Sequence, residues 1–292
     1  MKIAVISNDL QSFQIQDLIK TSKKLNVHLD VLSLNTLQLS TTKLPELETL
    51  KKYDLVYYRA GDTPIIRNIF ADYCQKNQIK FVNSAYYHSP LCGNKLNQVY
   101  EVLKISPQIK VPQTVTVEPS TNSDNYYSWL TDNLGKTFIA KPTSGHQGEG
   151  VRKISNLKQY QDLIKESYHG LESMIFQEMI PNTGDYRVFT INHQAIAMMK
   201  RTPAKGEFRS NFSQGGSVAP VVDEKISKCL APIAEAISQH FSLEIAGIDL
   251  MRSEKDECYY FIEANSIPQW EGLSQACNIN IAEKIINFLC QK

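Results

Sequence analysis

Two apolar runs near the C-terminus, Glu244-Ile-Ala-Gly-Ile-Asp-Leu-Met-Arg252 and Tyr259-Tyr-Phe-Ile-Glu-Ala-Asn265, restrict this chain most, because each sets acid or amide side chains inside a strand-forming sequence. Both are rich in β-branched and aromatic residues, and the polar Ser253-Glu-Lys-Asp-Glu257 between them reads as the connection of an antiparallel pair. Side chains alternate along a strand, so Glu263 and Asn265 share a face, and a five-residue connection brings Asp249 to that face too. Carboxylates this close repel, and one takes up a proton unless a cation lies between them. The oxygen-only donor set suits Mg2+, which is held by one or two carboxylates together with substrate phosphates. Capped or solvated strand-end acids would carry the same sequence, so the pair alone leaves both readings open.

The rest of the composition narrows the function classes. Of 292 residues, 42% are hydrophobic and 21% charged, ordinary values for a globular protein with room for two or three lobes. Thirty-one basic against thirty acidic residues leave a formal charge of +1, so no global field draws the chain to nucleic acid or an anionic membrane. Any anion site must therefore be local. Cys74, Cys92, Cys229, Cys258, Cys277 and Cys290 lie far apart without Cys-x-x-Cys or zinc spacing, which predicts buried, reduced thiols. No leader pattern and no apolar run of the roughly 18 residues needed for a span is present, and the expected location is the cytoplasm.

Along the chain, strand-like runs at 2–7, 29–34, 53–58 and 79–82 alternate with helical spacing at Ile15, Leu18, Ile19, Leu25 and across 65–74. That alternation predicts an open α/β unit on a parallel sheet, residues 1–90, without the Gly-x-Gly-x-x-Gly of a dinucleotide site. Helical spacing at Leu96, Val99, Tyr100 and Leu103 opens a second unit, 91–178. It continues with an edge strand at 111–117, a mobile loop at 118–125, and strands at 137–141 and 151–154. A helix near 156–168 and a strand at 174–177 make it a small α+β lobe. A third unit, 179–292, holds strands 186–191 and 195–199, a helix through Ile226 to Phe241, the opening strand pair and a helix near 281–289.

Three further stretches carry chemistry. Lys141-Pro-Thr-Ser-Gly-His-Gln-Gly-Glu-Gly150 ends a strand with a lysine and follows it with a glycine-rich turn able to bring amides close to phosphate. It is no Walker loop, and glycines also serve plain hairpins. Phe176-Gln-Glu-Met-Ile180 ends a strand where two lobes should meet, and Asp185 and Arg187 share a face of the next. Lys200-Arg-Thr-Pro-Ala-Lys-Gly-Glu-Phe-Arg209-Ser-Asn211 concentrates positive charge ahead of Gly215-Gly216, and arginine forks suit phosphate or carboxylate. A solvated basic loop has the same composition.

In this order the pieces resemble the RimK-like branch of the ATP-grasp carboxylate–amine ligases over nearly the whole chain. The resemblance implies an ATP-grasp fold, α/β in class, behind a pre-ATP-grasp domain. It implies ATP phosphates at Lys95, Lys141, Gly145, Gln147, Gly148, Gly150, Arg209, Ser210 and Asn211. Adenine falls at Glu178 and Met179, and ribose near Asp185. Asp249, Glu263 and Asn265 match the ligands of one or two Mg2+ ions, with Mn2+ as an alternative. Lys141, Arg209 and Arg201 match the catalytic set, Arg201 as a clamp for an acidic substrate.

The implied reaction joins a carboxylate to an amine through an acylphosphate, on small-molecule or peptide substrates and with no nucleic acid or membrane partner; a homo-oligomer is left open. Two alternatives stand beside it, an ATP-grasp kinase and a catalytically inactive nucleotide-binding regulator. The family's Asn-x-Ser-Pro-Gly is replaced by Asn265-Ser-Ile-Pro-Gln-Trp270, so residues 267–270 are expected to shape the acceptor pocket.

Overall fold

The computed structural model describes residues 1–33, 45–61, 64–85, 92–116, 124–145, 150–166, 174–204, 206–207 and 216–292. Its first sheet has the order β2-β1-β3-β4 and is parallel throughout, from β1 (Lys2–Ile6), β2 (His28–Leu32), β3 (Leu55–Tyr58) and β4 (Phe81–Val82). Helices α1 (Phe13–Lys24), α2 (Pro45–Glu48) and α3 (Pro64–Lys76) intervene. Ile3 and Val5 enter one core and Ala4 and Ile6 another, all fully buried. A strand covered on both faces has to be apolar at every position, which is why these runs were legible.

The second sheet, order β5-β8-β6-β7, is antiparallel. It comprises β5 (Thr114–Thr116), β6 (Phe138–Pro142), β7 (Arg152–Ile154) and β8 (Met174–Glu178), with β5 at the edge as its proline predicted. Before it comes α4 (Lys95–Val102), and within it α5 (Asp124–Leu134) and α6 (Leu157–Glu166). The stretch read as a loop to residue 125 is corrected at its last two residues. From Asp124 the chain is helical, and α5 buries Leu130 and Leu134 against Phe138 and Phe176, while residues 118–123 lie outside the described ones. The helix read from Leu96, Val99, Tyr100 and Leu103 is present as α4, which buries Lys95, Gln98, Val99 and Val102, while Tyr100 and Leu103, the residue after it, are exposed.

The third sheet, order β11-β10-β9-β12-β13, is antiparallel. It is built from β9 (Asp185–Ile191), β10 (Gln194–Thr202), β11 (Ser217–Pro220), β12 (Ile245–Arg252) and β13 (Tyr259–Asn265), with α7 (Glu224–His240), α8 (Glu271–Cys277) and α9 (Ile281–Gln291) around it. Gly184, just before β9, has φ +123, and a Cβ there would stand 2.1 Å from the Arg201 carbonyl oxygen, so only glycine fits the approach. Along one face of this sheet, Phe189, Ile191, Met199 and Ile245 form the apolar end. Arg187, Arg201 and Asp249 form the other end.

The first and third sheets share both large cores, whereas the second sheet has a core of its own. All six cysteines are free, but Cys229 and Cys290 are exposed, against the expectation of buried thiols. Among the described residues no helix is long and apolar enough to cross a membrane.

Candidate functional site

Register explains how the charged end forms. Asp249 on β12 stands opposite Arg187 on β9 and opposite Glu263 on β13, and Asp185 stands opposite Arg201 on β10. Directly opposed residues of an antiparallel pair share a face. The hairpin tip pairs Arg252 with Tyr259, a register that would set Asp249 against Ile262; a bulge between Asp249 and Leu250 shifts the ladder by one and brings Glu263 opposite. The shared face is therefore produced by the bulge and not by the length of the connection.

Arg187 holds Asp249 with two parallel bonds, Nε to Oδ1 at 2.8 Å and Nη2 to Oδ2 at 2.7 Å. A third comes from Arg201 Nη2 at 2.9 Å, and Arg201 Nε also donates to Asp185 Oδ1. Burial alone would raise the Asp249 pKa, but Arg187 and Arg201 outweigh it and hold the carboxyl below its usual range. In Asp185 burial wins, and its pKa is raised despite Arg201. The guanidinium of Arg201 is thus shared between Asp185 and Asp249, and all three side chains are buried. The substrate clamp and the ribose contact that the resemblance implied would draw on side chains that cross-strand register already pairs.

Lys95 begins α4, where its amide donates to the Thr143 carbonyl at 2.7 Å. Its ammonium donates to the Gly145 carbonyl at 2.9 Å and lies 3.3 Å from Glu263 Oε1. Lys141, on β6, is almost fully buried, and burial pulls its pKa down to about 8, with Glu263 opposing the drop and Lys95 adding to it. Gly145 has φ +115 and Gly150 φ +71, backbone that favours glycine. The Glu178 carboxylate accepts from the Gln113 amide at 2.8 Å, and the Glu178 amide donates to the Gln113 carbonyl at 3.0 Å, so side chain and amide both brace the entry to β5. Gln147, Gly148, Arg209, Ser210 and Asn211 lie outside the described residues.

Asp185, Asp249 and Glu263 face Arg187, Arg201, Lys95 and Lys141, three acids against four bases, which leaves the cluster at +1 when all are ionised. Such a cluster attracts polyanions. Among the described residues no three His, Cys, Asp or Glu side chains gather as an all-protein metal cage. The set present is two opposed carboxylates plus the amide of Asn265, whose Nδ2 donates to Gly247 O at 3.3 Å and to Asp249 Oδ2 at 3.4 Å. These residues fit Mg2+, an ion that completes its shell with waters and phosphate oxygens.

Arg187 and Gln98 were the residues that sequence reasoning undervalued. Gln98 lies on the buried stripe Lys95, Gln98, Val99, Val102, which has helical spacing, but half of it is polar and a hydrophobicity pattern passes over it. Trp270 was misread. It is fully buried, edge-on to Phe189, with its indole N–H bonded to Asp17 Oδ2 at 2.9 Å and the Arg59 guanidinium 4.6 Å from its ring.

Comparison with known proteins gives a consistent family. The model of the RimK-like ATP-grasp domain matches residues 94–289. A protein of Aliivibrio fischeri (strain MJ11) named "Probable alpha-L-glutamate ligase" is 36% identical over 158 residues, 53% of this chain and 50% of that protein. The chain thus spans about half the length of the curated relatives it matches. Among solved structures, a RimK domain ATP-grasp protein from Sphaerobacter thermophilus DSM 20745 superposes with a TM-score of 0.73 at 14% identity, covering 99% of both chains. A D-alanine–D-alanine ligase from Bacillus anthracis superposes with 0.73 at 15% identity, covering 100% of this chain and 96% of its own. At that identity the likeness is one of fold.

Proposed function

Because the chain belongs to the RimK-like ATP-grasp family, we infer that it is an ATP-dependent carboxylate–amine ligase that adds an amino acid to a small molecule, a peptide or a protein tail. The observation that carries this reading is the convergence of Lys95 and Lys141, from separate elements, on Glu263 at the edge of a cluster that retains net positive charge. ATP phosphates meet Lys95 and Lys141, with Arg209 and the glycine-rich stretch 145–150 assigned to them by the family resemblance, and the base lies against the Glu178–Met179 backbone. Asp249, Glu263 and Asn265 would hold Mg2+, which when bound supplies charge that draws electron density from the terminal phosphoryl group.

A substrate carboxylate oxygen attacks the γ-phosphorus, the bond to the bridging oxygen breaks and ADP leaves. The amine then attacks the acyl carbon, loses a proton, and phosphate departs with an oxygen from the original carboxylate. No protein nucleophile is needed; Lys95, Lys141 and Arg209 position the phosphates and offset the charge that develops on them. Arg187 and Arg201 fix Asp249.

L-Glutamate is the amine to test first, since the curated relatives carry that name. Incubation with Mg-ATP, glutamate and a panel of carboxylates labelled with heavy oxygen should yield ADP and phosphate carrying one label. AMP and pyrophosphate, or unlabelled phosphate alongside an amide product, would refute the route; a stable phosphorylated product would make the protein a kinase.

A further inference from the structure

Among the described residues β13 is the outer strand of its sheet, so no further strand pairs its outer backbone N–H and C=O groups at the place where Glu263 and Asn265 must be held. Unpaired groups of that kind are costly once buried and leave a strand free to slide. At Ala264, between the two site residues, the missing neighbour is replaced by one side chain. Gln98 Oε1 accepts from the Ala264 amide at 3.0 Å while its Nε2 donates to the Ala264 carbonyl at 2.7 Å. The other Nε2 hydrogen goes to the Cys92 carbonyl at 2.6 Å. Every hydrogen-bonding direction that the pair needs is met, and Gln98 is 1% exposed. Farther along the same edge the Lys110 carbonyl takes the Phe261 amide at 2.8 Å. Beyond Asn265, the Asn83 amide donates to Ser266 O at 2.9 Å while gripping both backbone groups of Ile245.

Gln98 also shares its helix with Lys95, one turn earlier, whose ammonium touches Glu263 and the Gly145 carbonyl. The same rigid element therefore fixes the backbone between two oxygen donors and places a cation against one of them. The geometry points to Gln98 as a positioning residue that acts through Ala264 to set the Glu263 and Asn265 oxygens for a divalent cation. It rests on the metal-dependent reading above and extends it to a residue that touches neither nucleotide nor metal.

Three variants test it in the full chain. Gln98→Met fills the space and makes no hydrogen bond, Gln98→Glu keeps the acceptor for Ala264 but loses both donations, and Gln98→Asn keeps the groups and shortens their reach. Mn2+ binding in the presence of ADP, followed by electron paramagnetic resonance, should weaken about tenfold or more in the folded variants. Metal-free ADP affinity should match wild type, a split that a general loss of structure would not produce. Folded variants that bind Mn2+ like wild type overturn the proposal alone. Loss of the folded state in all three makes Gln98 a core residue and overturns it too. A wild-type protein that binds no Mn2+ with ADP removes both the proposal and the metal-dependent reading.

Discussion

The ammonium of Lys141 is buried, and that burial, with Lys95 adding to it and Glu263 opposing, brings its pKa to about 8. An unfolded lysine titrates near 10.4, about two units higher. Between those values the unfolded chain keeps a proton that the folded one has released, so stability rises with pH across that window. Lys141→Met keeps the length and removes the charge. The ligand-free variant should be more stable at pH 7 by about 1–3 kcal/mol, since each unit of depression costs about 1.4 kcal/mol. It should also lose the rise above pH 8, and ATP affinity should fall about tenfold or more as a charge-assisted bond is removed. Denaturant titrations at pH 7 and 10 beside a nucleotide titration check all three; a less stable variant at pH 7 would contradict the burial argument. Glu263→Gln, nearly isosteric, should weaken Mn2+ binding about 10–100-fold. Its melting should change little, because its partner Lys95 also donates to Gly145. Unchanged Mn2+ titration curves would take Glu263 out of the site.

Parity along β13 offers a test at the scale of one element. Ile262 is the extra residue of the bulge, so deleting it leaves Leu250 opposite Phe261 and Asp249 opposite Glu263 in a regular ladder. Deleting Ala264 makes Glu263 and Asn265 neighbours and sends them to opposite faces. The first deletion should retain Mn2+ affinity within about tenfold and the second should abolish it, as measured by metal titration of folded protein. Equal losses would mean that register does not organise the site.

The bulge also shows what the sequence could and could not disclose. Strands β1 and β3 were plain because Ile3–Ile6 and Leu55–Tyr58 are buried on both faces and carry no charge. Helix α5 was missed because Leu130 and Leu134 anchor it amid Asn, Ser, Thr and Asp, poor helix formers. Strand β11 is an exposed edge ending at Pro220 and carries little apolar signal. The site's residue types, Lys95, Lys141, Asp249, Glu263 and Asn265, were legible from order and resemblance. Their partners were not, since the pairing of Arg201 with Asp185 and of Arg187 with Asp249 depends on a cross-strand register that linear spacing does not encode.

At the scale of the molecule, Trp270 joins the first sheet's layer to the third, bonded to Asp17 of α1 and packed on Phe189 of β9. Trp270→Ala should cost about 3–5 kcal/mol through the lost volume and an unpaired Asp17. Substrate preference should be unchanged in the folded fraction, which melting curves and product profiles measured side by side would establish. An altered preference at normal stability would restore Trp270 to the acceptor pocket. Because the first and third sheets share their cores, the chain closes them with partners as distant as Asp17 and Trp270, 253 residues apart. The second sheet closes its own core with Phe176. During synthesis, then, the first sheet is finished last: Ile3, Val5 and Leu18 wait for Ile281, Ile285 and Leu289 of α9 to leave the ribosome. Nascent chains arrested well beyond Glu178 but before α9 should protect β6 and β8 from protease while β1 is still cut.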